Sequence, residues 1–291
     1  MQKNQIIIIG AGLVLLGLLY FFGDRKGPPP EAKEHQHEEA EGGGAAPMVS
    51  TNTAEAADFP KLLLMAATGL TVGEQEKFEG LLKASEGKTA VAFKDLGEFW
   101  ERQFEETGDL MDLNIAAKYY KDGALLENTE KSLTFAGNLM LTLLQKTTDA
   151  SVRKWQGLEA VECFEKALKI NPDNSETKIA LANTYTMGTG ETMKGVFKLR
   201  EVVESNPDNI PANVALGKLS VQSGQFDKAI KRFENVLSQD AKNREAMYFL
   251  AESYKGKGNK DKAVELFEKC KTLVNEPSFS EEIDNYIKTF K

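Results

Sequence analysis

The stretch NPDNSETKIALANTY at 171–185 returns as NPDNIPANVALGKLS at 206–220, 35 residues later, and the register continues into Met247-x-x-Leu250-Ala251-x-x-Tyr254. Working outward, Ala160, Gly195, Ala229 and Ala263 form a column with spacings of 35, 34 and 34. Phe164, Leu199, Phe233 and Phe267 form a second column four residues further on, and Ala167, Val202, Val236 and Cys270 a third. A small residue, a bulky one at i+4 and a small or medium one at i+7 mark one buried face of a helix. Gly224 and Gly258 fall between paired helices, where a left-handed backbone favours glycine. The Asn-Pro-Asp-Asn segments read as turns that start helices rather than as ligands.

The other half of each unit repeats as well. Phe93-x-x-Leu96-Gly97-x-x-Trp100 is followed by Leu133-x-x-Ala136-Gly137-x-x-Met140 and Lys178-x-x-Leu181-Ala182-x-x-Tyr185. Asn213-x-x-Leu216-Gly217-x-x-Ser220 and the Met247 to Tyr254 motif complete the set. The small residue lets two helices approach closely, and the large ones fill the space between them. This combination of period, motif halves and proline between units resembles the tetratricopeptide repeat family. The resemblance implies an all-α, right-handed solenoid of about five helix pairs. Leu96, Gly97, Trp100, Gly137, Ala160, Phe164, Tyr185, Gly217, Ala229, Phe233, Tyr254, Ala263 and Phe267 would form its repeat core. Three regular units are expected over 175–277, and two irregular ones over 90–174. Residues 61–89 read as a helical amino-terminal cap and 278–291 as an amphipathic capping helix.

The resemblance also implies a concave face lined by the first helix of each unit. Carried over residue by residue, it comprises Glu176, Ile179, Asn183, Thr186 and Met187, then Pro211, Val214, Lys218, Val221 and Gln222. Glu245, Tyr248, Glu252, Lys255 and Gly256 follow. The expected partner-binding residues are Ile179, Asn183, Met187, Val214, Lys218, Val221, Tyr248 and Glu252. Val214 and Tyr248 are expected to face outward from the interhelical core. Asn183 and Lys218 match a fragment of the clamp with which some members of the family hold acidic peptide termini. Glu252 at the next equivalent place argues that the full clamp is absent.

Ahead of the repeats, Ile6 to Phe22 reads IIIIGAGLVLLGLLYFF, 17 residues without a charge. As a helix this is long enough to cross a thin hydrocarbon core, and Tyr20, Phe21 and Phe22 suit an aromatic belt. The large aromatics followed by Gly23-Asp24-Arg25-Lys26 do not form a small-residue cleavage site, so 1–26 is expected to be a retained single-pass anchor. Residues 27–60 carry Pro28-Pro29-Pro30, Gly42-Gly43-Gly44 and one lysine against seven acids, the composition of a disordered acidic linker. His35 and His37 lie within it, where nothing fixes the geometry of a metal site. Lysine and arginine on both flanks of the apolar run leave two orientations. A bacterial inner-membrane protein with a periplasmic array is the expectation, and a cytoplasmic array the alternative.

Across 291 residues the net charge is −8, with two cysteines and two histidines. That balance excludes a disulfide scaffold, a cysteine-rich zinc domain and a general nucleic-acid binder. Gly188-x-Gly190 lacks the strand and the full spacing of a phosphate loop and reads as a helix-connecting turn. Cys163 and Cys270 read as small buried hydrophobes. No nucleophile has a base partner, so no enzyme, metal, cofactor or small-molecule substrate is expected. The function expected is a membrane-tethered scaffold or adaptor, chaperone-like in character, for a peptide or protein partner. The alternative is a fixed structural subunit of a membrane-associated complex.

Overall fold

The computed structural model describes residues 54–290, which form thirteen helices and no strand. Helices α1 (Phe59–Ala67) and α2 (Val72–Ser85) lead into five antiparallel pairs. These are α3 (Ala90–Thr107) with α4 (Leu110–Glu127), α5 (Glu130–Lys146) with α6 (Ala150–Ile170), and α7 (Ser175–Thr184) with α8 (Thr192–Ser205). Then come α9 (Ile210–Gln222) with α10 (Phe226–Gln239), and α11 (Arg244–Gly256) with α12 (Lys260–Val274); α13 (Pro277–Phe290) packs on α12.

The start of each regular unit follows from one asparagine. The side-chain oxygens of Asn174, Asn209 and Asn243 accept the backbone N–H of Thr177, Ala212 and Ala246, each at 2.9 Å. Each satisfies one of the amide donors left open at a helix start. Between paired helices, Gly224 and Gly258 adopt φ of 69° and 84°, the left-handed region that the tight reversal requires. The extra residues of the first two units lengthen helices: α3 to α6 run to 18, 18, 17 and 21 residues, against 13 to 15 in α8 to α12.

The small-residue column sets how closely paired helices approach. A Cβ placed on Gly97, Gly137 or Gly217 would lie 2.6, 2.7 or 2.5 Å from the rings of Tyr120, Phe164 or Phe233. Each ring therefore occupies the space a side chain would need. Leu96, Trp100, Ala160, Phe164, Ala229, Phe233, Ala263 and Phe267 are wholly buried, and Tyr185 nearly so. Tyr254 differs from the expectation: it is only half-buried. Its hydroxyl donates to Glu234 Oε1 at 2.9 Å and Lys262 Nζ stands 4.5 Å from its ring, so its polar tip stays at the surface. Cys163 and Cys270 are buried and unpaired, and burial pushes both thiols up to about 12.

The boundary between linker and cap moves. Helix α1 begins at Phe59 rather than after Pro60, because proline in the first turn has the φ a helix needs and no amide to leave unsatisfied. Just before it, the Ala57 N–H donates to the Ser151 carbonyl at 3.0 Å. Phe59 stacks on Trp155 at 6.0 Å and meets Tyr119 edge-on at 5.9 Å, tying the entry of the chain to α4 and α6. Among the described residues no helix is long and apolar enough to cross a membrane. The expected anchor, Ile6 to Phe22, and the linker up to residue 53 lie outside the described residues.

Candidate partner-binding groove

The first helices of the last three units, α7, α9 and α11, carry the expected concave row. On α7, Ile179 and Asn183 are half-buried. The helix then widens into a π-turn, Tyr185–Thr189, closed by Gly190 at φ 77°. That turn removes Met187 from the register of a regular helix and leaves it 38% exposed. Two features hold the turn. Gly188 presses on Gly157, where a Cβ would lie 2.8 Å from the facing backbone. Arg153 donates from Nη2 to the Met187 carbonyl at 3.1 Å and from Nη1 to the Leu144 and Thr147 carbonyls at 2.6 and 3.0 Å.

On α9 the expectation for Val214 is corrected: it is 8% exposed and belongs to the core shared with Ala229, Phe233 and Leu250. Helix α9 packs on α8, α10 and α11, and this packing covers the side that bears Val214. Val221 stays half-exposed, while Pro211 and Gln222 are open. Lys218 Nζ donates to Glu245 Oε1 on α11 at 2.7 Å and stands 5.3 Å from the Phe249 ring. The pair is exposed on both sides, so Glu245 balances the charge of Lys218 without burying it.

Tyr248 also departs from the expectation, because its ring meets Phe249 at 5.4 Å and Phe267 at 5.5 Å and is half-buried. Burial pushes its phenol up to about 12, with the Glu252 carboxylate adding in the same sense. Glu252 lies 3.5 Å from Lys255 Nζ. Lys255 in turn donates to the Tyr286 hydroxyl and sits 4.3 Å from its ring. Tyr286 and Phe290 of α13 also pack on Phe267, so the last helix closes this end of the row. Gly256 is not a lining position: its missing side chain makes room for Phe226, 2.3 Å from where a Cβ would be.

Sequence reasoning missed two polar constructions in the first half of the array. Lys121 on α4 is buried between Glu159 and Glu162 of α6, at 2.5 Å from Glu159 and bonded also to Glu162. Burial opposes its charge, but the two carboxylates outweigh it and hold the ammonium pKa above the usual lysine value. Nearby, wholly buried Gln156 donates from Nε2 to Asn114 Oδ1 at 2.6 Å and to Thr147 Oγ1 at 2.9 Å. The available signal was a lysine inside the apolar run of α4 and two glutamates three apart on α6. Among the described residues no three His, Cys, Asp or Glu side chains converge as a metal would require.

Comparison with known proteins agrees with the helix pairs. Family models described as tetratricopeptide repeat match residues 220–269 and 158–174. Human "Protein IFIT1 homolog B" is 27% identical over 210 residues, covering 64% of this chain and 44% of that protein. Mouse "Interferon-induced protein with tetratricopeptide repeats 3" is 30% identical over 122 residues, 40% of this chain and 30% of that protein. The chain thus spans less than half the length of these curated relatives. Among solved structures, MamA from Desulfovibrio magneticus RS-1 is 20% identical, with 64% of this chain and 95% of that one covered and a TM-score of 0.48. YrrB, described as a TPR protein with an unusual peptide-binding site, is 22% identical, covering 72% and 99%, with a TM-score of 0.46. Within residues 54–290, the chain is an all-α solenoid that carries tetratricopeptide repeats.

Proposed function

We propose that this protein is a membrane-tethered scaffold that holds a peptide or protein partner along the row formed by α7, α9 and α11. The observation that carries this reading is the surface left after packing: Ile179 on α7, Met187 in the π-turn and Val221 on α9 offer apolar area, while Lys218 is paired with Glu245. Such a strip, bordered by polar groups, suits an apolar side of a partner helix or an extended segment better than an acidic terminus. The tether part of the reading rests on the uncharged run Ile6 to Phe22, followed by the acidic 27–60 segment.

The test is co-purification of a partner with the full chain from membranes, compared with Met187→Ser combined with Val221→Ser. Met187 is exposed and Val221 packs only at the edge of the core, so the helices should persist while capture falls about tenfold or more, as for loss of contacts at the centre of an interface. Capture at full strength by the double variant would move the contact surface off this row.

A further inference from the structure

The second helices of the third and fourth units, α8 and α10, carry a patch that the groove does not use. Met193 and Phe197 lie four residues apart on α8, each 55% exposed. Phe197 and Lys231 are 34 residues apart and hold the same register position on α8 and α10. Arg200 and Lys231 are exposed and form no ion pair. Arg232 is half-buried and pinned by a bond from Nη1 to Asn213 Oδ1 at 2.9 Å.

Glu201 pairs with Lys198 at 2.7 Å and Lys178 at 3.6 Å; Asp227 pairs with Lys257 at 2.5 Å and is also within electrostatic reach of Lys231; Glu234 accepts from the Tyr254 hydroxyl at 2.9 Å and keeps its charge. Glu204, one turn beyond Arg200, makes no bond to it. Burial and the neighbouring Arg200 both lower the pKa of Arg232, which places the two guanidiniums within electrostatic reach of each other. Arg200, Lys231 and Arg232, beside the exposed Met193 and Phe197, make a basic and apolar patch on a protein of net charge −8.

We propose that this outer patch binds the acidic run of the same chain, Glu31 to Glu41. That run holds Glu31, Glu34, Glu38, Glu39 and Glu41 against Lys33 alone, so its charge complements Arg200, Lys231 and Arg232. The length of chain permits it. The backbone is fixed to Ser151 on α6 at Ala57, which lies 16 positions after Glu41. Sixteen residue steps reach about 50 Å at full extension, at roughly 3.3 Å per residue. A short carboxylate run suits the patch better than a long polyanion such as nucleic acid, which the acidic remainder of the array would repel.

The experiment uses the full chain and a zero-length carbodiimide, which joins a carboxylate directly to a lysine amine. Products are read by mass spectrometry at 0.1 M and 1 M NaCl. The proposal expects intramolecular amides between Lys231 and glutamates of the 31–41 run, in excess over amides from the same run to exposed Lys83, Lys131 and Lys242. Their yield should fall about fivefold or more in 1 M NaCl, where the screening length is about 3 Å. Arg200→Gln, a surface change that leaves the core untouched, should lower it about fivefold as well. Amides from Lys231 to Asp227 or Glu234 only, equal joining of the run to all exposed lysines, products linking two molecules, or a yield indifferent to Arg200→Gln would each overturn it.

Discussion

Gly217 and Phe233 fit together as absence and presence: a Cβ on Gly217 would stand 2.5 Å from the tip of the Phe233 ring, which is itself wholly buried. The approach of α9 to α10 is set by this pair. Gly217→Ala should therefore cost about 1–3 kcal/mol through overpacking, despite alanine's better helix propensity. Gly80 in α2 has nothing within 4 Å of its virtual Cβ. Gly80→Ala should instead stabilise by about 0.5–1 kcal/mol. Urea denaturation of both variants checks the contrast, and equal effects would show that helix spacing is not controlled by the ring.

Phe233→Ala and Phe267→Ala should each cost about 3–5 kcal/mol, because both rings are fully buried in the core of the last two units. Each unit leans on its neighbours, so hydrogen exchange should quicken in the flanking helices too. Protection lost in one helix alone would contradict that.

Val214 and Met187 separate core from row. Val214→Ala removes two buried methyl groups and should cost about 1–2 kcal/mol at about 0.8 kcal/mol per group. Met187→Ala, at an exposed position, should stay within about 0.5 kcal/mol. Thermal midpoints measured side by side decide this.

The Lys121 cluster should respond unequally to removal of its two sides. Glu159→Gln with Glu162→Gln strands a buried ammonium and should cost about 3–5 kcal/mol. Lys121→Met should cost less, because Glu162 reaches water. Glu162 also gives the cluster an acid limit: burial pushes its carboxyl up, but Lys121 outweighs this and leaves the folded pKa below 4.5. A depressed carboxylate contributes stability that is present above the unfolded pKa and lost as pH falls through the folded one. Wild-type protein should thus lose stability below about pH 4.5 more steeply than Glu162→Gln. Parallel acid titrations of unfolding would expose the opposite order.

The regular half of the fold was legible because each unit states its own register. An asparagine starts the first helix, a small residue follows at the eighth position, and a bulky residue from the second helix lies on it. The sequence pattern did not reveal the π-turn at Tyr185–Thr189, because it depends on Gly188 meeting Gly157 and on Arg153 reaching the Met187 carbonyl from another unit. Val214 was misplaced for a related reason. A standard position within a repeat describes one unit, whereas burial on α9 depends on its neighbours. Lys121 escaped because a single charge in an apolar helix names no partner; only the packing of α4 on α6 supplies Glu159 and Glu162.

The most direct measurement places photo-reactive residues at Ile179 and at Val221 in the full chain in intact membranes, with Lys269 on the outer side of α12 as the comparison. The account predicts that one and the same partner is captured from both row positions and not from Lys269. Capture from Lys269 alone, or of unrelated proteins at the two row positions, would contradict it.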